Sequence, residues 1–253
     1  MAHRIFRRGC GRSTARIAAT ALAAVAATGY GAAVAPTANA STAPAAQSSY
    51  YEWFSADELR RGDSGAEVQE LQERLIELGY WIETADGEFG GLTLHAVHAL
   101  QKAAGITRDG VVGPDTRAAL DEGVRPSAHS TSGNAVEIDL ERQLLLVVSD
   151  GEVQQVFTTS TGSGKPYESR GEQHVATTPT GEYTVFRDVD AWDPGPLGAL
   201  YRPKYFNGGI AVHGYTSVPP YPASHGCARV SIAAMDWLWK EGWLDHNARV
   251  IVR

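Results

Sequence analysis

Cysteine is almost missing from this chain, with two in 253 residues. Cys10 sits among arginines at the extreme N-terminus, in a segment expected to be removed, which leaves Cys227 as the single thiol. One thiol cannot form an intramolecular disulfide, so Cys227 is either a small buried hydrophobe or a reactive group. Basic side chains are in deficit as well: 22 Lys and Arg stand against 29 Asp and Glu. Five of the 22 lie in the first 16 residues with no acid beside them, so removing that segment leaves 17 against 29. Such a balance argues against nucleic acid or an anionic membrane surface as partner. Beyond the N-terminus no stretch is long and apolar enough to cross a bilayer, so no stable membrane span is expected once the leader is gone.

The leader has three parts. Arg4, Arg7, Arg8, Arg12 and Arg16 form a basic region, an Ala-rich apolar stretch runs from Ile17 to about Ala35, and Ala38-Asn39-Ala40 closes it with small residues. That order predicts a secretory signal peptide over residues 1–40, and hence a secreted, extracytoplasmic protein. A retained anchor is the alternative, disfavoured because Thr28, Gly29 and Gly31 interrupt a weakly hydrophobic run.

Residues 41–56 begin as a small-residue linker and end in aromatics. From 57 to 121 the chain reads as helices separated by glycine turns. Val68, Leu71, Leu75 and Leu78 follow a helical period and Gly79 ends it. An internal echo runs through this stretch. Asp86-Gly87-Glu88-Phe89-Gly90 precedes Thr93, Ala96 and Val97; Asp109-Gly110-Val111-Val112-Gly113 precedes Thr116, Ala119 and Leu120 at the same offsets. Val68-x-x-Leu71-Gln72 likewise returns as Val97-x-x-Leu100-Gln101. Asp-Gly is a turn signal, so Asp86 and Asp109 are read as turn formers. These segments, in this order, resemble the peptidoglycan-binding domain, which implies a small three-helix unit directed at peptidoglycan glycan or stem peptide. Gly91-Leu92 departs from that family, which usually carries Pro and a polar residue there.

Residues 122–135 are rich in Pro, Ser, Gly and Thr and mark a linker. From 136 to 253 the pattern turns to strands. Val136, Ile138 and Leu140 alternate with acids, Leu144 to Val148 is a continuous apolar run, and Asp150-Gly151 turns into a returning strand from Glu152 to Thr159. Further strands are expected at Glu182 to Asp188, Gly209 to Val212 and Arg249 to Val252. Trp192 to Tyr205, with three prolines and two glycines, is expected to be neither helix nor central strand. One helix is predicted, from Ile232 to about Glu241, capped by Ser231, with Met235, Leu238 and Trp239 on one face. The fold class is α+β and multidomain: a helical unit, then a β-rich domain with one main helix.

The chemistry concentrates in Ser224-His225-Gly226-Cys227-Ala228-Arg229. A thiol needs a base to take its proton and return it to a leaving amine. His213 and His225 are the candidates. His213 ends the apolar strand Ile210-Ala211-Val212 and can present its ring at a sheet edge; His225 shares a side with Cys227 if 225–227 is extended. Gly226 removes bulk where a carbonyl must approach, and the Cys227 amide can help hold an oxyanion. A zinc site from His213, His225 and Cys227 is a competing reading, weakened by the lack of a paired ligand spacing.

VHGYTSVPPYPASHGCARV, with DLERQLLLVV, TTSTGSG and TPTGEYTV before it, resembles the L,D-transpeptidase (YkuD-like) family over residues 136–253. The resemblance implies a sandwich-like domain that forms 3–3 cross-links in peptidoglycan through a cysteine thioester and releases terminal D-alanine, with no cofactor. It makes Cys227 the nucleophile and His213 the base, oriented by the Gly214 carbonyl. Ser224, His225 and Gly226 become supporting residues. Arg229 falls on the position implied to hold a substrate carboxylate, and Tyr201, Tyr205 and Phe206 fall in the segment implied to cover the donor channel. β-Lactams of the carbapenem type are the implied inhibitors. An L,D-carboxypeptidase using the same acyl-enzyme, or a wall-binding protein without catalysis, are the other functions. Cysteine hydrolases of the NlpC/P60 or papain type place the cysteine upstream of its histidine, whereas Cys227 follows both candidates.

Overall fold

The computed structural model describes residues 58–253. The leader and the first linker lie outside the described residues.

Three helices come first: α1 (Ala66–Glu77), α2 (Gly91–Ala104) and α3 (Pro114–Asp121). Their packing follows the apolar period, with Val68, Leu71, Leu75, Val97, Leu100 and Leu120 all buried. The sequence echo has a physical cause. The Gln72 amide donates to Asp86 Oδ1 at 2.8 Å, the Glu88 carbonyl at 3.0 Å and Thr93 Oγ1 at 2.8 Å, while its oxygen accepts from Gly87 N at 2.8 Å. The Gln101 amide repeats this set with Asp109 Oδ1 at 2.8 Å, the Val111 carbonyl at 3.0 Å, Thr116 Oγ1 at 3.1 Å and Gly110 N at 2.9 Å. Each glutamine satisfies the polar groups of one Asp-Gly turn inside the core, where unpaired groups are costly. Asp86 and Asp109 also accept from the amides of Glu88 and Val111 at 2.9 Å, the geometry of turn formers.

Twelve strands and a fourth helix follow: β1 (Asn134–Asp139), β2 (Leu144–Ser149), β3 (Glu152–Thr158), β4 (Pro166–Ser169), β5 (Glu172–Val175), β6 (Gly181–Thr184), β7 (Arg187–Asp188), β8 (Trp192–Gly195), β9 (Gly198–Asn207), β10 (Ile210–Tyr215), β11 (Ala228–Ser231), α4 (Ile232–Lys240) and β12 (Arg249–Val252). One sheet has the order β3-β2-β1-β12-β6; the other runs β11-β10-β9-β7 with β8 also on β9; β4 and β5 form a separate hairpin. The sheets enclose a core of Val136, Ile138, Leu145, Val147, Val212, Val230, Val250 and Val252 that α4 closes with Met235 and Leu238.

The continuous apolar run of β2 is explained by burial on both faces. Leu145 and Val147 enter the sandwich core, while Leu144, Leu146 and Val148 join the core of the helices. The helical unit and the sandwich therefore share a dry seam. Segment 79–81 extends it by pairing with β3: Trp81 N donates to the Val156 carbonyl at 3.0 Å and Val156 N to that of Gly79 at 2.8 Å. Lys102 of α2 is fully buried there, donating to the carbonyls of Gln143 and Thr159, both at 2.9 Å, and to Thr158 Oγ1. Residues 129–130 are likewise tied down, since Glu137, fully buried on β1, accepts from the amides of His129 and Ser130.

Two strand expectations are corrected. Residues 182–188 form two short strands in different sheets, the chain crossing between them at Val185, which is buried. Residues 192–205 form the β8–β9 hairpin, and β9 lies inside the second sheet. Pro203 is tolerated because a bulge falls there. Tyr205 pairs with Ala211 but Tyr201 with Gly214, so β9 carries one extra residue, with Arg202 at φ 48°.

Candidate active site

The parallel pairing of β10 with β11 sets His213 opposite Arg229 and Val212 opposite Ala228. Period two divides the pair into two faces. Val212, Ala228 and Val230 enter the core, whereas His213, Tyr215, Cys227 and Arg229 line one cleft of about 750 Å³. Its remaining walls come from the β4–β5 hairpin, including Tyr167 and His174, and from the β8–β9 hairpin, including Pro194 to Leu200.

His213 is almost wholly buried, and its Nδ1 lies 2.9 Å from the carbonyl of Gly214. A carbonyl only accepts, so Nδ1 carries the hydrogen and Nε2 keeps its lone pair. Burial pushes the imidazolium down to about 4; the Gly214 carbonyl opposes this and the Arg229 charge adds to it. The Cys227 thiol is pushed up by burial, with the Ala211 backbone and the Arg229 charge pulling it back. Both partners are thus neutral at rest, and the imidazole is free to accept a proton.

The loop ahead of β11 is stapled. Ser224 Oγ donates to the Cys227 carbonyl at 2.6 Å and accepts from Gly226 N at 3.0 Å. Thr178 Oγ1 donates to the Gly226 carbonyl at 2.6 Å and accepts from Gly162 N at 2.9 Å. Gly226 has φ 144°, and a Cβ there would stand 2.9 Å from the Thr177 carbonyl oxygen. Residues 225–226 therefore bend rather than run extended, and His225 does not share a side with Cys227 by strand periodicity. His225 is exposed on the cleft rim, its ring 4.7 Å from that of Tyr167 in an edge contact. Residues 160–163 brace the loop from the other side: Ser163 N donates to the Ser224 carbonyl at 2.9 Å and Ser224 N to that of Thr161 at 2.9 Å.

Arg229 lines the cleft with its guanidinium 4.4 Å from the Tyr215 ring centroid. Tyr205 also lines it, its hydroxyl donating to Asp193 Oδ2 at 2.8 Å. Tyr201 does not. It packs on the α4 side of the sheet, against Gly214, and donates to Asp236 Oδ1 at 2.9 Å. Phe206 is buried in the sandwich core beside Tyr183. Tyr215, Thr178 and Tyr167 are cleft or loop-bracing residues that the sequence did not single out. Tyr215 had a usable signal, two residues beyond His213 on a strand. Among the described residues no group of three His, Cys, Asp or Glu side chains is placed to hold a metal ion, so the zinc constellation is not assembled.

Residues 133–252 match the YkuD family, described as the L,D-transpeptidase catalytic domain, and residues 64–120 match a peptidoglycan binding domain family. The crystal structure of an L,D-transpeptidase (residues 123–326) from Xylanimonas cellulosilytica is 50% identical, with a TM-score of 0.77, over 79% of this chain and 99% of that one. An N-acetylmuramoyl-L-alanine amidase of Bacillus licheniformis is 39% identical over 94 residues, 36% of this chain and 26% of the amidase. A spore cortex-lytic enzyme of Bacillus cereus is 27% identical over 171 residues, 61% of this chain and 64% of that enzyme. The chain thus spans about a quarter of that amidase and under two thirds of the cortex-lytic enzyme.

Proposed function

Because the chain belongs to the L,D-transpeptidase family, we propose that it is an exported enzyme that joins peptidoglycan stem peptides through a thioester on Cys227. The observation that carries this reading is the common face of β10 and β11. A neutral imidazole and a cation on that face, and a lone thiol one residue ahead of β11, line one cleft, with Nδ1 of the base already tied to the Gly214 carbonyl. Cys227 Sγ attacks the carbonyl of the third residue of a tetrapeptide stem while His213 Nε2 takes the thiol proton. The amide of Cys227 supports the oxyanion. The imidazolium then protonates the departing nitrogen, D-alanine leaves, and the thioester remains. An amine of a second stem attacks the thioester, its proton passes to His213, and the thiolate recovers a proton as the 3–3 cross-link forms. Arg229 holds a stem carboxylate during the first half. The helical unit over 57–121 keeps the enzyme on the wall, and residues 1–40 direct its export. A carbapenem takes the place of the donor by acylating the same sulfur.

Incubation with disaccharide-tetrapeptides followed by mass spectrometry tests the reading. The expected products are a dimer lacking one D-alanine and a transient adduct on Cys227, both absent from Cys227→Ala. A monomeric tripeptide as sole product would make the chain a carboxypeptidase, and an adduct surviving in Cys227→Ala would remove the nucleophile assignment.

A further inference from the structure

A second hollow, sharing no residue with the cysteine cleft, lies where the helices meet the sandwich. It encloses about 530 Å³ between the end of α1, the segment 80–83, Gln155 of β3 and one face of α4. Both halves of the protein contribute walls, a frequent setting for ligand sites.

The floor is aromatic. Trp81 and Trp237 line the hollow with ring centroids 6.4 Å apart, and Phe157 packs behind both at 5.5 and 5.6 Å. The indole N–H groups of Trp81 and Trp237 meet no acceptor among the described residues. Trp239, two residues on, does find one, the Arg202 carbonyl at 2.8 Å. Both indole N–H groups of the hollow reach its solvent, where a ligand acceptor can meet them. The side chains of Gln155 and Glu83 in the same walls make no hydrogen bond among the described residues either.

Flat apolar rings surrounded by unmatched donors and acceptors suit a neutral, polyhydroxylated ligand whose ring faces are apolar. The charged wall residues among those described are Glu83, Asp236 and Lys240. Asp236 is engaged by Tyr201 and Arg202, and Lys240 lies 3.5 Å from Glu241, so the one cation of the lining already has an anionic neighbour and a stem peptide's carboxylates find none to themselves. We propose that the hollow binds an N-acetylated amino-sugar chain, placing glycan recognition at the seam between the two halves. The identity of that chain as the wall glycan rests on the function proposed above.

The test is calorimetric titration of the chain with tetra-N-acetylchitotetraose, a sugar without peptide, with tryptophan fluorescence read in parallel. Saturable binding with an altered tryptophan signal is expected, weakened at least tenfold by Trp237→Ala and by Gln155→Ala and unchanged by Cys227→Ala. Trp237 also packs on Phe157, so Gln155→Ala, with the far-ultraviolet spectrum retained, guards against misfolding. Absence of binding, binding undiminished in both variants, or displacement of the sugar by a free stem tetrapeptide overturns the proposal. Acylation of Cys227, followed by intact mass on the same samples, reports on the cysteine cleft independently, so failure of one reading is distinguishable from failure of the other.

Discussion

Arg229 stands opposite His213 across the β10–β11 pair, and its guanidinium lies over the ring of Tyr215 with no carboxylate bonded to it among the described residues. Its Nε is buried without a hydrogen-bond partner among the described residues. A cation with no anionic partner among the described residues, in the cleft of the proposed nucleophile and base, is available to an anionic group of the ligand.

Arg229→Ala is therefore expected to lower kcat/KM for a tetrapeptide donor by about 10- to 100-fold, the loss of a charge-assisted contact of about 1.5–3 kcal/mol. Arg229→Lys should recover little of it, because a point charge does not reproduce the planar fork. Steady-state kinetics on donors with and without the free carboxylate measures both; equal losses on the two donors would place the arginine in a structural role.

The pH profile should be shifted towards acid. His213 protonates at about 4 instead of near 6.5, so its Nε2 remains a base down to that pH. The acid limb of kcat/KM is expected at about 4; a limb near 6.5 would mean that the ring is solvated during turnover.

Acid should also destabilise the fold, in a higher window. His95, His98 and His213 are each depressed to about 4, in every case chiefly by burial. Their neutral forms are favoured in the folded state, so the stability they contribute is complete above the unfolded value near 6.5. It is lost progressively as pH falls from there to about 4. Thermal unfolding followed by circular dichroism should show Tm dropping across that interval, and replacing His95 with Gln should flatten the drop.

Gly226→Ala should keep the fold but cut turnover by about 100-fold or more. The new Cβ would meet the Thr177 carbonyl at 2.9 Å in a backbone conformation that L residues rarely adopt, displacing the amide next to the nucleophile. Near-normal Cys227 acylation in this variant would show that the bend is not required.

Lys102→Met should destabilise the protein by about 1–3 kcal/mol by leaving the Gln143 and Thr159 carbonyls and Thr158 Oγ1 without their donor in the seam. Burial pushes the Lys102 ammonium down to about 7, so the loss reflects unmatched acceptors more than lost charge. Urea unfolding would read it; an unchanged midpoint would show that the acceptors find water.

Much of the site was legible because it is local in sequence. Ser224 to Arg229 places the proposed nucleophile, the bend before it and a cation within six residues, and His213 follows apolar residues that mark the buried face. The aromatics of 201–206 were not legible. Tyr201 and Tyr205 are four residues apart and share a face in a regular strand, but the bulge at Arg202–Pro203 reverses the alternation. Tyr205 thereby stays in the cleft and Tyr201 turns to α4. The repeated glutamines were visible as a pattern, while their role as buried anchors for the turns was not.

The sequence by itself determined the two-part α+β organisation, the strand periods and the reactive segment, because helix period, alternation and turn chemistry act over a few neighbouring residues. Only the tertiary structure decided which faces those elements hide. β2 is apolar throughout because a helical unit covers its second side. Lys102 is dry because α2 presses it into that seam. His213 is neutral because long-range packing takes it out of water. Burial depends on residues far apart in the chain, and no local pattern specifies them.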